Sequence, residues 1–208
     1  MPWSEWSVFL LMCLTMSLTP GPNMMYLTSR ALCQGRAAAV VSLWGVATGF
    51  LIHLTVAASG LAAVLRASPA AYNTIRYAGV AYLLWLAWKA LRPAGGGLQT
   101  VSLPPATPRQ LFVMGFMTNA LNPQAALLYL SIFSQFIHPG RGGLLAQAAV
   151  IGGVQISISF TVNLGLILAA DSLGRSIAEK PWGLKIQRWV MGSVLAAIAM
   201  RPALVAPR

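Results

Sequence analysis

Two clusters of helix-breaking residues, 103 positions apart, carry the chemistry that this sequence offers. The first is Leu18-Thr19-Pro20-Gly21-Pro22-Asn23, and the second is Asn119-Ala120-Leu121-Asn122-Pro123-Gln124. Proline has no N–H and its ring clashes with the preceding turn, so each cluster predicts a break in a helix. A break leaves backbone N–H and C=O groups without helical partners, and such groups can bind a small polar molecule.

The side chains around the two breaks support this chemistry. Asparagine and glutamine carry both donors and acceptors. The free N–H groups at a helix start attract a carboxylate, and carbonyls freed by a break can accept hydrogen bonds from an ammonium group. The alternative is that these amides only satisfy the broken backbone, and the sequence leaves both interpretations open. The predicted binding residues are Pro20, Gly21, Pro22, Asn23, Asn119, Asn122, Pro123 and Gln124.

Few side chains in the apolar segments can carry a proton. His53 lies near the middle of the second segment, and histidine changes its charge near neutral pH. Asp171 lies at a helix end, where a solvated cap is the alternative to a proton carrier. His53 can equally be a buried neutral histidine with a hydrogen-bonded neighbour. Tyr26 and Tyr129 either line the path or serve as bulky packing residues.

The composition places these residues in a membrane. The chain has 208 residues, of which 57% are hydrophobic and 8% are charged, whereas ordinary soluble domains carry about 25% charged residues. The apolar runs are longer than the strands of an outer-membrane barrel, which have about 10 residues of alternating polarity. We therefore expect an all-α integral membrane protein within the lipid bilayer.

Six membrane-spanning segments are predicted, and the first and fourth contain the breaks. The stretch from Arg92 to Arg109 is rich in Pro, Gly and Ser/Thr and separates two halves. The whole chain, residues 1–208, is expected to be one transmembrane domain, with repeat one at 1–91, a loop at 92–109 and repeat two at 110–208. The segments run roughly from Trp6 to Leu32, Ala38 to Leu65, Pro69 to Leu91, Gln110 to Ile137, Leu144 to Ala170 and Ile186 to Met200.

The basic residues predict the orientation. The formal net charge is +11, but the basic side chains lie mostly at helix ends, where they face lipid headgroups, so we expect no nucleic-acid partner. The first, third and fifth connections share one face, which should be cytoplasmic because it is richer in Lys and Arg. That face would hold Arg30, Arg36, Lys89, Arg92, Arg109, Arg175, Lys180, Lys185 and Arg188.

The two halves match each other in register. A shift of 103 residues pairs Pro20 with Pro123 and Tyr26 with Tyr129 without a gap. Each half would hold three spans, an odd number, so the second half must be inverted relative to the first. Inverted repeats with broken helices are the architecture of alternating-access carriers, whose binding site lies near the membrane midplane.

At these residues the chain resembles the lysine exporter (LysE/RhtB) family. The resemblance implies a bacterial inner-membrane exporter of amino acids or their derivatives, driven by proton exchange. One departure is Gln124, which stands where the family commonly has Lys after Asn-Pro. The matching stretches are Leu18 to Pro22, Gly45 to Gly49, Arg76 to Leu91, Gly115 to Ala125, and Gln135-Phe136.

A multi-pass secondary transporter of the inner membrane is therefore the main hypothesis, with an amino acid and protons as its small partners. We expect no cofactor and no metal. Cys13 and Cys33 form no paired motif. A membrane enzyme is the second class, although His53 and the asparagine clusters assemble no nucleophile–base pair. A non-transporting membrane partner or assembly factor is the third. The small-residue pattern from Gly45 to Gly49 lets helices approach closely and is compatible with a homodimer.

Overall fold

The structure, a computed structural model, describes residues 2–19, 21–91, 104–138 and 142–170. These described residues form seven α-helices and no strands, which confirms the all-helical prediction. The sixth predicted segment, from Ile186 to Met200, and most of the loop at 92–109 lie outside the described residues. The helices are α1 (Trp3–Ser17), α2 (Pro22–Gln34), α3 (Arg36–Ala67), α4 (Pro69–Leu91), α5 (Pro108–Ala120), α6 (Pro123–Phe136) and α7 (Leu144–Leu168).

The helices have the length and surface of a membrane protein. In the described part of the chain, α3 and α7 are each long and apolar enough to cross a bilayer, and the pair α1 and α2, bent by 52°, counts as a third candidate span. Large apolar side chains project from the outer faces, as contact with lipid requires. These include Trp44, Leu51, Val56, Leu145, Val150 and Leu168. Six spans and their orientation stay predictions.

Both predicted breaks are present. α1 ends at Ser17 and α2 begins at Pro22, after Gly21 in an extended conformation. α5 ends at Ala120 and α6 begins at Pro123. Proline fits the first position of a helix because the N–H that it lacks would have no intrahelical acceptor there. Each proline therefore starts the second half-helix of its segment.

The two broken segments run antiparallel. The start of α1 lies beside the end of α6, since Glu5 Oε1 is 4.0 Å from Nε2 of His138. The end of α2 lies beside the start of α5, because Arg30 donates from Nη1 to the carbonyl oxygen of Pro104 at 2.6 Å. The two breaks meet between these contacts. Two helices, α3 and α4, lie between the segments along the chain, and an even number of crossings between them produces this arrangement.

Glycines bring α3 and α5 into backbone contact. A Cβ atom on Gly45 would overlap the carbonyl oxygen of Phe112, and one on Gly115 would overlap the carbonyl oxygen of Ser42. Gly49 lies against Asn119 one turn further along. The small-residue pattern on α3 thus permits the predicted close approach within one chain. The homodimer stays a prediction, and this face of α3 is not the surface that would form it.

Candidate functional site

A cavity of about 70 Å³ lies where the two breaks meet. A water molecule needs about 10–15 Å³ of such space, so the cavity has room for several waters or part of a small solute. Its wall comes from the end of α1, the starts of α2 and α6, one face of α7 and one side chain of α3. The lining residues that the sequence predicted are Gly21, Pro22, Asn23, Asn122 and Gln124.

The breaks approach each other directly at this cavity. The position of a Cβ atom on Gly21 is 3.6 Å from Oε1 of Gln124. At the start of α6, Oδ1 of Asn122 accepts a hydrogen bond from the backbone N–H of Gln124 at 3.0 Å. Among the described residues, no side chain caps the start of α2. The positive ends of two half-helices therefore face the same space.

Asn23 contributes an unsatisfied acceptor at the start of α2. Its Oδ1 is buried and has no hydrogen-bond partner among the described residues. Leaving a buried acceptor unpaired costs about 1–3 kcal/mol. A donor on a bound solute would remove that cost, so this oxygen indicates a ligand site.

Asn119 and Pro123 occupy different positions from the cavity residues. Asn119 is fully buried behind the break, between α5 and α3, and neither Oδ1 nor Nδ2 of its side chain has a partner in the described structure. Pro123 is exposed at the start of α6. Two further predicted residues, Pro20 and Asp171, lie outside the described residues.

His53 lies one layer behind the cavity. Its Nε2 is 2.9 Å from the backbone carbonyl oxygen of Asn119. Because a carbonyl only accepts, Nε2 carries a hydrogen, and Nδ1 is the nitrogen that can take up a proton. The ring also lies 6.0 Å, between centroids, from the ring of Tyr129. His53 is thus buried and hydrogen-bonded, as both sequence interpretations require.

The two tyrosines that share a register have different surroundings. Tyr129 is buried, and its hydroxyl donates to Oε1 of Gln155, which lines the cavity. Tyr26 is half-buried, with its hydroxyl 3.1 Å from Oγ of Ser42 and donating to the carbonyl oxygen of Leu111 at 3.4 Å. Tyr129 therefore supports the cavity wall from behind, whereas Tyr26 joins α2 to the contact between α3 and α5.

Three cavity residues on α7 were missed by the sequence analysis. Gln155, Ser159 and Asn163 are all buried and line the cavity. Their spacing of i, i+4, i+8 puts them on one face of the helix, and this stripe within an apolar segment was the available signal. Ser159 also joins α7 to α1, because its Oγ is 3.3 Å from Oγ of Ser17.

The cavity combines polar and apolar walls without charge. None of the described residues that line it is charged. Its apolar side is formed by Met16, Met24, Phe50, Ala125 and Leu128. In the described ranges, no three His, Cys, Asp or Glu side chains converge on a point that could hold a metal ion. The arrangement suits binding of a small amphipathic solute by hydrogen bonds and helix ends.

The chain is similar in sequence to known translocators and efflux proteins. A family model described as LysE type translocator matches residues 14–204. A homoserine/homoserine lactone efflux protein of Salmonella typhimurium is 29% identical over 199 residues, which cover 95% of each chain. A leucine efflux protein of Klebsiella pneumoniae is 28% identical over 185 residues, covering 88% of this chain and 87% of that protein. No solved structure gives a significant match.

Proposed function

Because this chain belongs to the LysE type translocator family, we propose that it is a secondary transporter that exports amino acids or their derivatives across the bacterial inner membrane. The observation that carries the proposal is the meeting of two helix breaks at one cavity. Broken backbone is tolerated inside a membrane only where protein or a water-filled cavity satisfies its polar groups. Residues of both breaks line the same cavity here, as a shared binding site requires.

The proposed mechanism is alternating access by two inverted repeats. Its support is the antiparallel course of the two broken segments, α1 with α2 and α5 with α6, together with the shared Pro and Tyr register of the sequence. In carriers of this architecture, one repeat moves against the other around a fixed midmembrane site. The cavity between Gly21 and Gln124 would be that site.

The solute would be held by the helix ends and the amides around them. The starts of α2 and α6 offer N–H groups and positive dipole ends to a carboxylate. Asn122 and Gln124 add side-chain donors at the start of α6. The apolar wall would take the side chain of an amino acid. Asn119 would act from behind the break, through the backbone, since it lies outside the cavity.

Proton exchange through His53 is the proposed coupling. Its ring donates to the last turn of α5, directly before the break. The carbonyl end of a helix carries partial negative charge and stabilises a cation, so a protonated His53 would hold α3 against α5 more tightly. Loss of the proton would loosen that contact and let the break move. Asp171 stays a further candidate for proton coupling, and Tyr26 and Tyr129 stay candidates to line the path.

Flux measurements in proteoliposomes test the function. Vesicles containing the purified protein should exchange at least one labelled amino acid for unlabelled amino acid at equal pH, and a pH gradient should drive its net movement. Asn122→Ala should reduce exchange because it removes both a cap and a cavity donor. The matched control is Asn73→Ala, which changes an exposed asparagine of α4. Absence of flux for every amino acid with folded protein would contradict the proposal.

A further inference from the structure

We infer that two amides of α7, Asn163 and Gln155, are specificity-determining residues that restrict the solute to a zwitterion with no further charge. The inference rests on the proposed transport function and refines the same cavity. Both residues are more than nine-tenths buried and face the cavity from one side of a single helix. The hydrogen bond of Asn163 to a backbone carbonyl fixes which of its amide atoms remains for a solute, and the structure places Oε1 of Gln155 on the hydroxyl of Tyr129.

Asn163 presents an acceptor. Its Nδ2 donates to the backbone carbonyl oxygen of Ser159 at 2.7 Å. A carbonyl oxygen only accepts, so this contact determines which end of the amide is nitrogen. The described residues make no hydrogen bond to Oδ1, which is left for a donor in the cavity. A primary ammonium group is a donor of this kind, with three hydrogens and no acceptor.

Asn122 and Gln155 present donors. Oδ1 of Asn122 is occupied by the backbone N–H of Gln124, so its Nδ2 remains. Oε1 of Gln155 is occupied by the hydroxyl of Tyr129, so its Nε2 remains. A carboxylate is acceptor-only and matches both groups. The cavity therefore has donors from α6 and α7, an acceptor further along α7 and a second acceptor, Oδ1 of Asn23, at the start of α2.

The partial charges at the helix ends favour the same orientation of the solute as the amide donors and acceptors do. The starts of α2 and α6, with their positive ends, are on the donor side next to Asn122. The carbonyl end of α1 contacts the acceptor side, since Ser17 lies beside Ser159, one turn from Asn163. A zwitterion whose carboxylate faces Asn122 and whose ammonium faces Asn163 satisfies both ends. No side-chain charge is needed to hold it.

The same uncharged lining rejects an additional charge. A cation or anion on the solute's side chain would face Met16, Met24, Phe50, Ala125 or Leu128, which cannot pair with it. Burying an unpaired charge is strongly unfavourable. Net-neutral amino acids should therefore be transported in preference to lysine or glutamate. Because specificity is a difference between two affinities, changing one amide to a carboxylate should change the preference.

Competition for exchange in proteoliposomes tests the zwitterion requirement. With labelled leucine, homoserine or threonine as the transported solute, neutral amino acids should compete at least about tenfold better than lysine or glutamate, because the side-chain charge of lysine or glutamate would be buried without a partner. The decarboxylated amine and the deaminated acid of the same solute should each compete poorly. Equal competition by lysine would overturn the inference.

Substitutions at Asn163 test the residue itself. Asn163→Asp places a carboxylate opposite the solute's α-ammonium and should raise competition by the decarboxylated amine by about tenfold relative to the zwitterion. Asn163→Leu removes the acceptor and should weaken neutral solutes while leaving their maximal exchange rate measurable. Thr161→Val is the matched control, because Thr161 lies on the exposed side of α7 and bonds only its own helix through Ser157.

The outcomes separate this inference from the transport function. If the unchanged protein exchanges no amino acid, the proposed function fails. If it exchanges amino acids but Asn163→Asp keeps the original charge preference, transport stands and the inference fails. If Asp171→Asn, rather than the changes at Asn163, alters selection at the ammonium, then Asp171 is the partner and the inference is overturned. Thermal stability of each detergent-solubilised variant shows that the variants are folded.

Discussion

His53 donates a hydrogen bond from Nε2 to the backbone carbonyl oxygen of Asn119 across 2.9 Å. Both residues are buried, and Gly49, one turn before His53, packs against Cβ of Asn119. The histidine therefore contacts the backbone at the end of α5, directly before its break. A change in the charge of this ring acts first on the position of that break and only then on the cavity.

Two substitutions at His53 distinguish proton transfer from hydrogen bonding. His53→Gln keeps an N–H donor for the Asn119 carbonyl but cannot take up a proton, whereas His53→Ala loses both properties. If His53 carries the coupled proton, neither variant should accumulate solute in response to a pH gradient. His53→Gln should still exchange solute at equal pH, because the α3–α5 contact is preserved.

The measurement compares gradient-driven uptake with equal-pH exchange in the same proteoliposome preparation. Normal gradient-driven flux in His53→Gln would show that only the hydrogen bond matters. Loss of equal-pH exchange in His53→Gln would show that His53 is needed for the structure of the break and not specifically for proton transfer.

The backbone contact between α3 and α5 should be intolerant of a methyl group. Gly115→Ala and Gly45→Ala each place Cβ on a carbonyl oxygen of the other helix. Forcing extra atoms into a packed interface costs about 1–3 kcal/mol, so both variants should unfold at lower temperature in detergent. Gly60→Ala, also on α3, is the control, since no described atom beyond its own helix backbone lies within 4 Å of the added carbon. An unchanged unfolding temperature in Gly115→Ala would show that the helices are less close than described.

The breaks could be predicted from the sequence because their causes are local. The rings of Pro22 and Pro123 interrupt the helix wherever they occur. The spacing of Gly45 and Gly49 by itself predicts a close contact between helices. Cavity residues depend on which face of a helix turns inward. Asn119 and Asn122 are three positions apart, yet only Asn122 reaches the cavity, because α3 covers the other side of the last turn of α5.

The polar stripe of α7 shows the same dependence. Gln155, Ser159 and Asn163 share a face with each other, while Ser157 and Thr161 between them bond their own helix and face outward. The residue types alone do not distinguish the three cavity-facing residues from Ser157 and Thr161, since both sets are polar. The packing of α1, α3 and α6 against α7 selects the three that line the cavity.

Arg30 should contribute to stability although it was predicted to face lipid headgroups. It is 0% exposed and has its guanidinium 5.7 Å from the ring centre of Tyr26. Its Nη1 donates to the carbonyl oxygen of Pro104 at 2.6 Å and to Oε1 of Gln34 at 3.2 Å. Through these hydrogen bonds to carbonyl and amide oxygens, Arg30 holds the segment before α5 against the end of α2.

Replacing this side chain should release that segment. Arg30→Met should destabilise the protein by about 1.5–3 kcal/mol, as expected for a lost hydrogen bond to a charged group. Arg30→Lys should restore only part of the loss, because an ammonium has no second arm to reach the sulfur of Met114, to which Nη2 of Arg30 donates at 3.3 Å. Arg109→Gln, at an exposed position in the first turn of α5, is the control. Denaturant titration gives the free energy of unfolding of all three variants. Equal stability of Arg30→Met and the control would contradict the stabilising role of Arg30.

The meeting of the two breaks gives the last prediction. A Cβ atom on Gly21 would be 3.6 Å from Oε1 of Gln124, and both residues line the cavity. Cysteines at these two positions should therefore be joined by a short thiol reagent, and a transported solute that fills the cavity should slow the reaction. The background protein must carry Cys13→Ala and Cys33→Ser, because neither native cysteine forms a disulfide within the described residues and both could react with the reagent.

Alanine variants test whether the same contact matters for transport. Gly21→Ala with Pro22→Ala, and separately Pro123→Ala, should favour a continuous helix, because alanine is preferred over glycine by about 1 kcal/mol and over proline by about 3 kcal/mol within a helix. Flux should fall strongly while the protein still inserts, because straightening either segment withdraws its backbone groups from the cavity.

The pair Gly21→Cys with Ala126→Cys is the control for the crosslinking experiment, since Ala126 is exposed on α6. Normal flux in both alanine variants, together with no crosslink between positions 21 and 124, would refute a site shared by the two breaks.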